Sequence, residues 1–328
     1  MRIPGGGEQR RGKDVSAKVH FDGWPLDYHL LTQMQIKGII PPLVTPFRED
    51  GSIDEHAHRA EVRFMVERAN VDGVAVCGST GEGHTLTTEE TRRIVGWTVE
   101  EARGRIPVIA GIIADSTQAT IERGRAVADL GVAALQVTPV HYVFRPDDDA
   151  MVTHFGAIAD GTGVPVILYN VVPWSYLLPP LLVRILKEAD GVIGVKQSAS
   201  DMKALADLLL LSEEAGIRER VRILSAVDAL LCSSFQLGAD GAVAAILSAA
   251  PEACVSLWEA VRAGDQAQAL ALHKKLLRLW NTIDAPNLPA NVRVAMETQG
   301  RAGGVPRPPM PVSSAAQAEK VRAAMAAL

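Results

Sequence analysis

Three short stretches of this sequence hold side chains that could do chemistry together. Lys196 ends the run V-I-G-V-K at Val192–Lys196, Tyr169 lies in I-L-Y-N at Ile167–Asn170, and Ser79 and Thr80 lie in G-S-T-G-E at Gly78–Glu82. A lysine at the end of a buried strand is desolvated, which disfavours its charged form and leaves a nucleophilic amine. Such an amine condenses with a ketone to give a Schiff base. A 2-oxo acid presented to it needs its carboxylate held, and Ser79 and Thr80 offer hydroxyls and backbone N–H groups close to a helix start. Forming and breaking the carbinolamine needs a proton carrier, and the Tyr169 hydroxyl suits that role. The iminium is then an electron sink that lets an adjacent carbon–carbon bond form or break, without a metal or a separate cofactor. Each feature also has an ordinary reading. A lysine can snorkel to solvent, G-S-T-G is a common turn, and a strand tyrosine can be core. Only a scaffold that gathers all of them at one place separates the two readings.

The chain supplies such a scaffold. From Gly38 onward, short β-branched runs alternate with helical patterns. The runs are Ile39–Val44, Gly73–Cys77, Pro107–Ile112, Val132–Val137, Pro165–Tyr169, Val192–Lys196, Val221–Ser225 and Gly241–Ile246. Near-continuous apolar runs of this length are strands covered on both faces. Eight strand–helix units predict an α/β fold, a (β/α)8 TIM barrel, with its chemistry at the C-terminal ends of the strands. Ser79, Thr80, Tyr169 and Lys196 all follow or close such strands. Beyond Gly264 the alternation stops, and Gln266–Ile283, Ala290–Glu297 and Ser314–Ala327 read as a C-terminal three-helix extension. The expected division is an N-terminal extension over 1–36, a barrel over 37–263 and a helical domain over 264–328.

Composition narrows the function classes. The 328 residues are 48% hydrophobic and 22% charged, with a formal net charge of −5. No basic footprint marks a nucleic-acid partner, and no polybasic patch or apolar stretch of about 20 residues marks a membrane. Cys77, Cys232 and Cys254 are an odd count without C-x-x-C spacing, which fits a reducing cytoplasmic compartment. The eight histidines are scattered with no ligand spacing, so no metal site is expected. Asp147–Asp149 read as the acidic first turn of a helix.

Taken together, the motifs resemble the dihydrodipicolinate synthase/N-acetylneuraminate lyase family. To the three stretches above are added P-L-V-T-P-F at Pro42–Phe47, L-G-A-D-G at Leu237–Gly241, and an ending with Asn287, Pro289, Pro309 and Pro311. The resemblance runs in order over roughly residues 36–328. It implies a homotetramer built as a dimer of dimers, Lys196 as the Schiff-base lysine for pyruvate or another 2-oxo acid, and an aldehyde as second partner. It further implies Tyr169 and Ser79 as the proton relay, and Thr80 with its loop amides as the carboxylate holder.

Two departures bear on the second substrate. Synthases of this family carry an arginine in the loop after Y-N, where this chain reads V-V-P-W-S-Y (Val171–Tyr176), with Trp174 and Ser175 in that region. The family's T-P-Y-Y-N becomes T-P-V-H-Y-V-F-R-P at Thr138–Pro146, two residues longer. Tyr142 or His141 then takes the place of the tyrosine that reaches a neighbouring subunit's site. The expected activity is a lyase or aldolase. A true 4-hydroxy-tetrahydrodipicolinate synthase and a 2-oxo acid dehydratase are the alternatives within the enzyme class, and a non-catalytic metabolite-binding barrel is the alternative outside it.

Overall fold

The computed structural model describes residues 36–140, 142, 144–198 and 201–328. The N-terminal extension, apart from Ile36, and His141 lie outside the described residues. Eight parallel strands follow in chain order: β1 (Gly38–Ile39), β2 (Val74–Val76), β3 (Val108–Ile112), β4 (Ala134–Val137), β5 (Val166–Asn170), β6 (Val192–Gln197), β7 (Arg222–Ser225) and β8 (Gly241–Ala242). Each strand from β2 to β7 pairs with the next, and β8 pairs with β7 and with β1. A parallel bridge between Pro42 and Ala75 joins the chain after β1 to β2 and closes the ring. This is the (β/α)8 barrel that the alternation predicts.

Two strands are shorter than their apolar runs. Pro41 and Pro42 have no N–H to donate, so the ladder of β1 ends at Ile39 and resumes only as that single bridge. After β8 the run continues as a short helix over Ala245–Ala249, so its Ala-rich end is helical rather than extended.

The inside of the barrel is filled by Ile40, Ala75, Ile109, Ala134, Ile167, Leu224 and Val243, a cluster separate from the apolar layer between strands and helices. It forms an apolar floor inside the barrel, beneath the C-terminal ends of the strands. The turns entering two strands are pinned by aspartates. The Asp72 carboxylate accepts Ile39 N–H and the Asp240 carboxylate accepts Ile223 N–H, both at 2.8 Å. These are the D-G turns of the sequence, and each ties one strand to its neighbour.

The outer helices begin as the sequence requires. Asp54 caps α1 (Glu55–Glu67), Thr87 and Glu90 form a capping box on α2 (Thr88–Ala102), and Asp147 caps the helix Asp148–Thr162. The acidic Asp147–Asp149 run is thus a helix start. Past the barrel come the helices Gln266–Ile283, Leu288–Glu297 and Ala315–Ala326. Among the described residues no helix is long and apolar enough to cross a membrane.

Candidate active site

The register of the sheet brings the chemistry together. Tyr169 on β5 pairs directly with Lys196 on β6. A register shift at Val166/Ile167 sets that alignment, and on the other side Gly194 lets β6 approach β7 closely, because a Cβ there would lie 2.3 Å from the Arg222 carbonyl oxygen. Lys196 is buried, and its Nζ lies 3.7 Å from the centroid of the Tyr169 ring. The ring face stabilises a positive charge at that nitrogen, whether ammonium or iminium.

Above them opens a cavity of about 360 Å3 whose lining includes Ser79, Thr80, His84, Tyr169, Lys196 and Asp228. Ser79, Thr80, Tyr169 and Lys196, all singled out from sequence, therefore share one cavity. Ser79 is exposed toward it, whereas Thr80 is buried. Tyr142 does not line this cavity. It is 67% exposed, and its carbonyl oxygen accepts the Trp174 indole N–H at 3.0 Å, which ties the loops after β4 and β5 together.

The loop carrying Ser79 and Thr80 is rigidly supported. Gly83 packs so tightly that a Cβ would fall 1.8 Å from the Cys77 carbonyl oxygen. Thr45, the threonine of P-L-V-T-P-F, donates its hydroxyl to the Gly81 carbonyl at 2.7 Å. Glu82 adopts a left-handed backbone (φ 54°) and turns its carboxylate inward, fully buried. One oxygen pairs with Arg293 Nη2 at 2.7 Å and the other accepts Arg307 N–H at 2.9 Å. Arg293 also donates to the carbonyls of Gly303, Pro289 and Thr45, at 3.0, 3.0 and 2.7 Å. One buried guanidinium therefore joins the C-terminal helices to the loops after β1 and β2.

The loop after β5 is held by Asn170, the last residue of I-L-Y-N. Its side chain donates to Leu177 O and Gln197 Oε1, both at 2.9 Å, and accepts Leu177 N–H at 3.0 Å. Gln197 in turn donates to the Tyr176 hydroxyl at 2.7 Å. Val171–Tyr176 is thus latched to the strand that carries Lys196.

Sequence reasoning did not single out Asp228, which lies three residues past β7 and lines the cavity. Its Oδ1 accepts Ile246 N–H at 2.8 Å. Burial pushes the carboxyl up to about 6, against the lowering effects of that N–H and of the Lys196 charge. Asp228 keeps part of its surface open to the cavity, yet it sits deep beneath the protein surface, so burial governs its acidity. Its place beyond a strand's C-terminal end was the available signal. Leu288, Pro289 and Met310, from the C-terminal helices and the loop between them, form an apolar wall of the same cavity. Among the described residues no cluster of three or more His, Cys, Asp or Glu side chains is placed to hold a metal ion.

Comparison with known proteins agrees with this geometry. Residues 35–328 match the model of the dihydrodipicolinate synthetase family. The 4-hydroxy-tetrahydrodipicolinate synthase of Phenylobacterium zucineum is 36% identical over 291 residues, covering 88% of this chain and 96% of that protein. That of Methanopyrus kandleri is 34% identical over 279 residues, covering 84% and 91%. Among solved structures, YagE of E. coli K12, a prophage protein of the dihydrodipicolinic acid synthase family in complex with pyruvate, superposes with a TM-score of 0.84 at 26% identity. That superposition covers 89% of this chain and 98% of YagE. A family match over nearly all of the described chain, together with relatives above 30% identity, leads to one conclusion: this chain is a member of the dihydrodipicolinate synthetase family.

Proposed function

We propose that Lys196 forms a Schiff base with pyruvate or a related 2-oxo acid, and that the enzyme makes or breaks the adjacent carbon–carbon bond. The family is one of lyases of the aldolase type, and this chain is such a lyase. The observation that carries the lysine's role is its buried amine against the Tyr169 ring, at the floor of a cavity edged by the Ser79–Thr80 loop. In this reading Thr80 and the loop amides hold the carboxylate, and Tyr169 with Ser79 moves protons. Tyr142 extends toward a neighbouring subunit's site in a homotetramer. Pyruvate bound to the structurally similar YagE supports the choice of first substrate.

The second substrate is a neutral aldehyde. No arginine lines the cavity among the described residues, and Trp174 stands in the loop where a synthase arginine would be sought. A charged bidentate contact missing there removes on the order of several kcal/mol of recognition for a second carboxylate. The names of the sequence relatives favour the synthase alternative, in which pyruvate condenses with aspartate semialdehyde and another residue holds that carboxylate. Steady-state assays with a panel of 4-hydroxy-2-oxo acids, following pyruvate release, separate these readings. Pyruvate release by the native enzyme and none by Lys196→Ala supports the proposal. Faster condensation with aspartate semialdehyde than with neutral aldehydes would install the synthase reading, and water loss without pyruvate release would make the enzyme a dehydratase.

A further inference from the structure

The catalytic sequence proposed above leaves a charge to be accounted for. A neutral amine and a ketone give a neutral imine and water, and the imine becomes an electron sink only when it also carries a proton. That proton creates a cation on a side chain almost wholly withdrawn from water, where an uncompensated charge is costly. Lys196 is 3% exposed, and the hydrophobic floor of the barrel lies directly beneath this layer. The Tyr169 ring face offers partial compensation.

One group on the cavity wall can balance the charge fully. Asp228 opens the 3-10 turn Asp228–Leu230 after β7, the strand paired with the Lys196 strand, and both side chains line the same cavity. Its Oδ1 is fixed by Ile246 N–H at 2.8 Å. The other titratable groups around it are Lys196 from β6, Tyr169 from β5, His84 from the loop after β2, and Cys254 beneath it on the helix Pro251–Arg262. Burial pushes Cys254 strongly upward, so its thiol stays protonated and adds no charge. Lys196 is the cation that Asp228 feels.

Resting on the Schiff-base reading, we propose that Asp228 is the charge partner of Lys196: the proton that makes the iminium cationic is the one these two residues already share. Before reaction the pair holds a single proton. On reaction, amine, ketone and that proton give iminium and water, and Asp228 remains as a carboxylate facing the cation. Tyr169 and Ser79 pass the proton at the carbinolamine, while the summed charge of Lys196 and Asp228 stays the same and the substrate carboxylate is held separately by the Ser79–Thr80 loop. Asp228 is thus a positioning residue that acts through Lys196, and binding of a 2-oxo acid draws no proton from solvent.

The test is calorimetric titration of pyruvate at pH 8 in buffers of different ionisation heat, which counts the protons taken up when the adduct forms. For the native enzyme the count should be near zero. Asp228→Asn keeps an acceptor for Ile246 N–H but cannot hold the proton. Its count should rise toward one, with pyruvate affinity falling about tenfold per pH unit. Asp228→Glu should bring the count back toward zero, a rescue that a merely structural role for the residue would not give. A native count near one overturns the proposal without need of any variant, and so does an Asp228→Asn count that stays near zero. Borohydride trapping run alongside separates the two levels of the argument. If the native chain gives no adduct on Lys196, the Schiff-base reading itself fails; an adduct with the wrong proton count removes only Asp228.

Discussion

Replacing Glu82 by glutamine should both weaken the fold and loosen the hold on the 2-oxo acid. Glu82 is fully buried and its partner Arg293 is 2% exposed, with 2.7 Å between them. Burial pushes the Arg293 guanidinium down from its ordinary value, and Glu82 is the charge that opposes this. Removing one partner of a buried pair strands the other and typically costs about 3–5 kcal/mol. Glutamine keeps one acceptor oxygen for two donors, Arg293 and Arg307 N–H, and turns its NH2 toward one of them, so the full range of about 3–5 kcal/mol applies. The double variant Glu82→Gln/Arg293→Met should not recover this. It leaves the carbonyls of Gly303, Pro289 and Thr45 without their donor, each at about 1–3 kcal/mol. Urea unfolding followed by circular dichroism measures the stability, and steady-state kinetics measures the site. Because Glu82 adjoins Thr80 and Gly81, KM for the 2-oxo acid should rise more than kcat falls. A loss of stability below about 1 kcal/mol would refute the argument that this charge is required. So would an unchanged KM, which would mean that the loop holds its shape without the anchor.

Other perturbations test separate parts of the account. Tyr169→Phe should retain the fold and the ring face beside Lys196 while slowing turnover by about 10²–10⁴-fold, and a near-normal rate would assign the proton to another group. Stability should fall as pH drops from 6.5 toward 4. His58 and His154 are buried and pushed down from 6.5 to about 4, so in that window the unfolded chain takes up protons that the folded chain refuses. Each contributes roughly 3 kcal/mol. Asp228, raised from 3.8 to about 6, and the buried Glu61, also raised, act in the opposite direction, while the lowered His273, Glu90 and Glu101 add to the two histidines. Denaturant titrations at pH 7 and pH 4.5 should therefore show a lower midpoint in acid, and an equal or higher one would contradict the sign.

The barrel was legible because its strands are covered on both faces and so appear as unbroken apolar runs, from Val108–Ile112 to Val192–Gln197. Strand ends were less so where a local rule intervenes, as at Pro41–Pro42, or where small residues carry no strand preference, as at Ala244–Ala250. Lys196, Tyr169, Ser79 and Thr80 could be found because each closes or follows a strand, and one sheet places all such residues at one end. What joins them could not be read in the same way. Glu82 and Arg293 are 211 positions apart, and nothing local to either marks the other. Leu288, Pro289 and Met310 reach the cavity only through the packing of the C-terminal helices. Asp228 was legible by position, but an aspartate between a strand and a helix has the same appearance as an ordinary helix start.

The central claim is that Lys196 is the nucleophile. Intact-protein and peptide mass spectrometry after incubation with pyruvate and borohydride tests it most directly, on the native chain and on Lys196→Ala. The account predicts one reduced pyruvate adduct per native chain, located on the peptide containing Lys196, and none on the variant. An adduct that persists in Lys196→Ala, or that maps to another lysine, would contradict it.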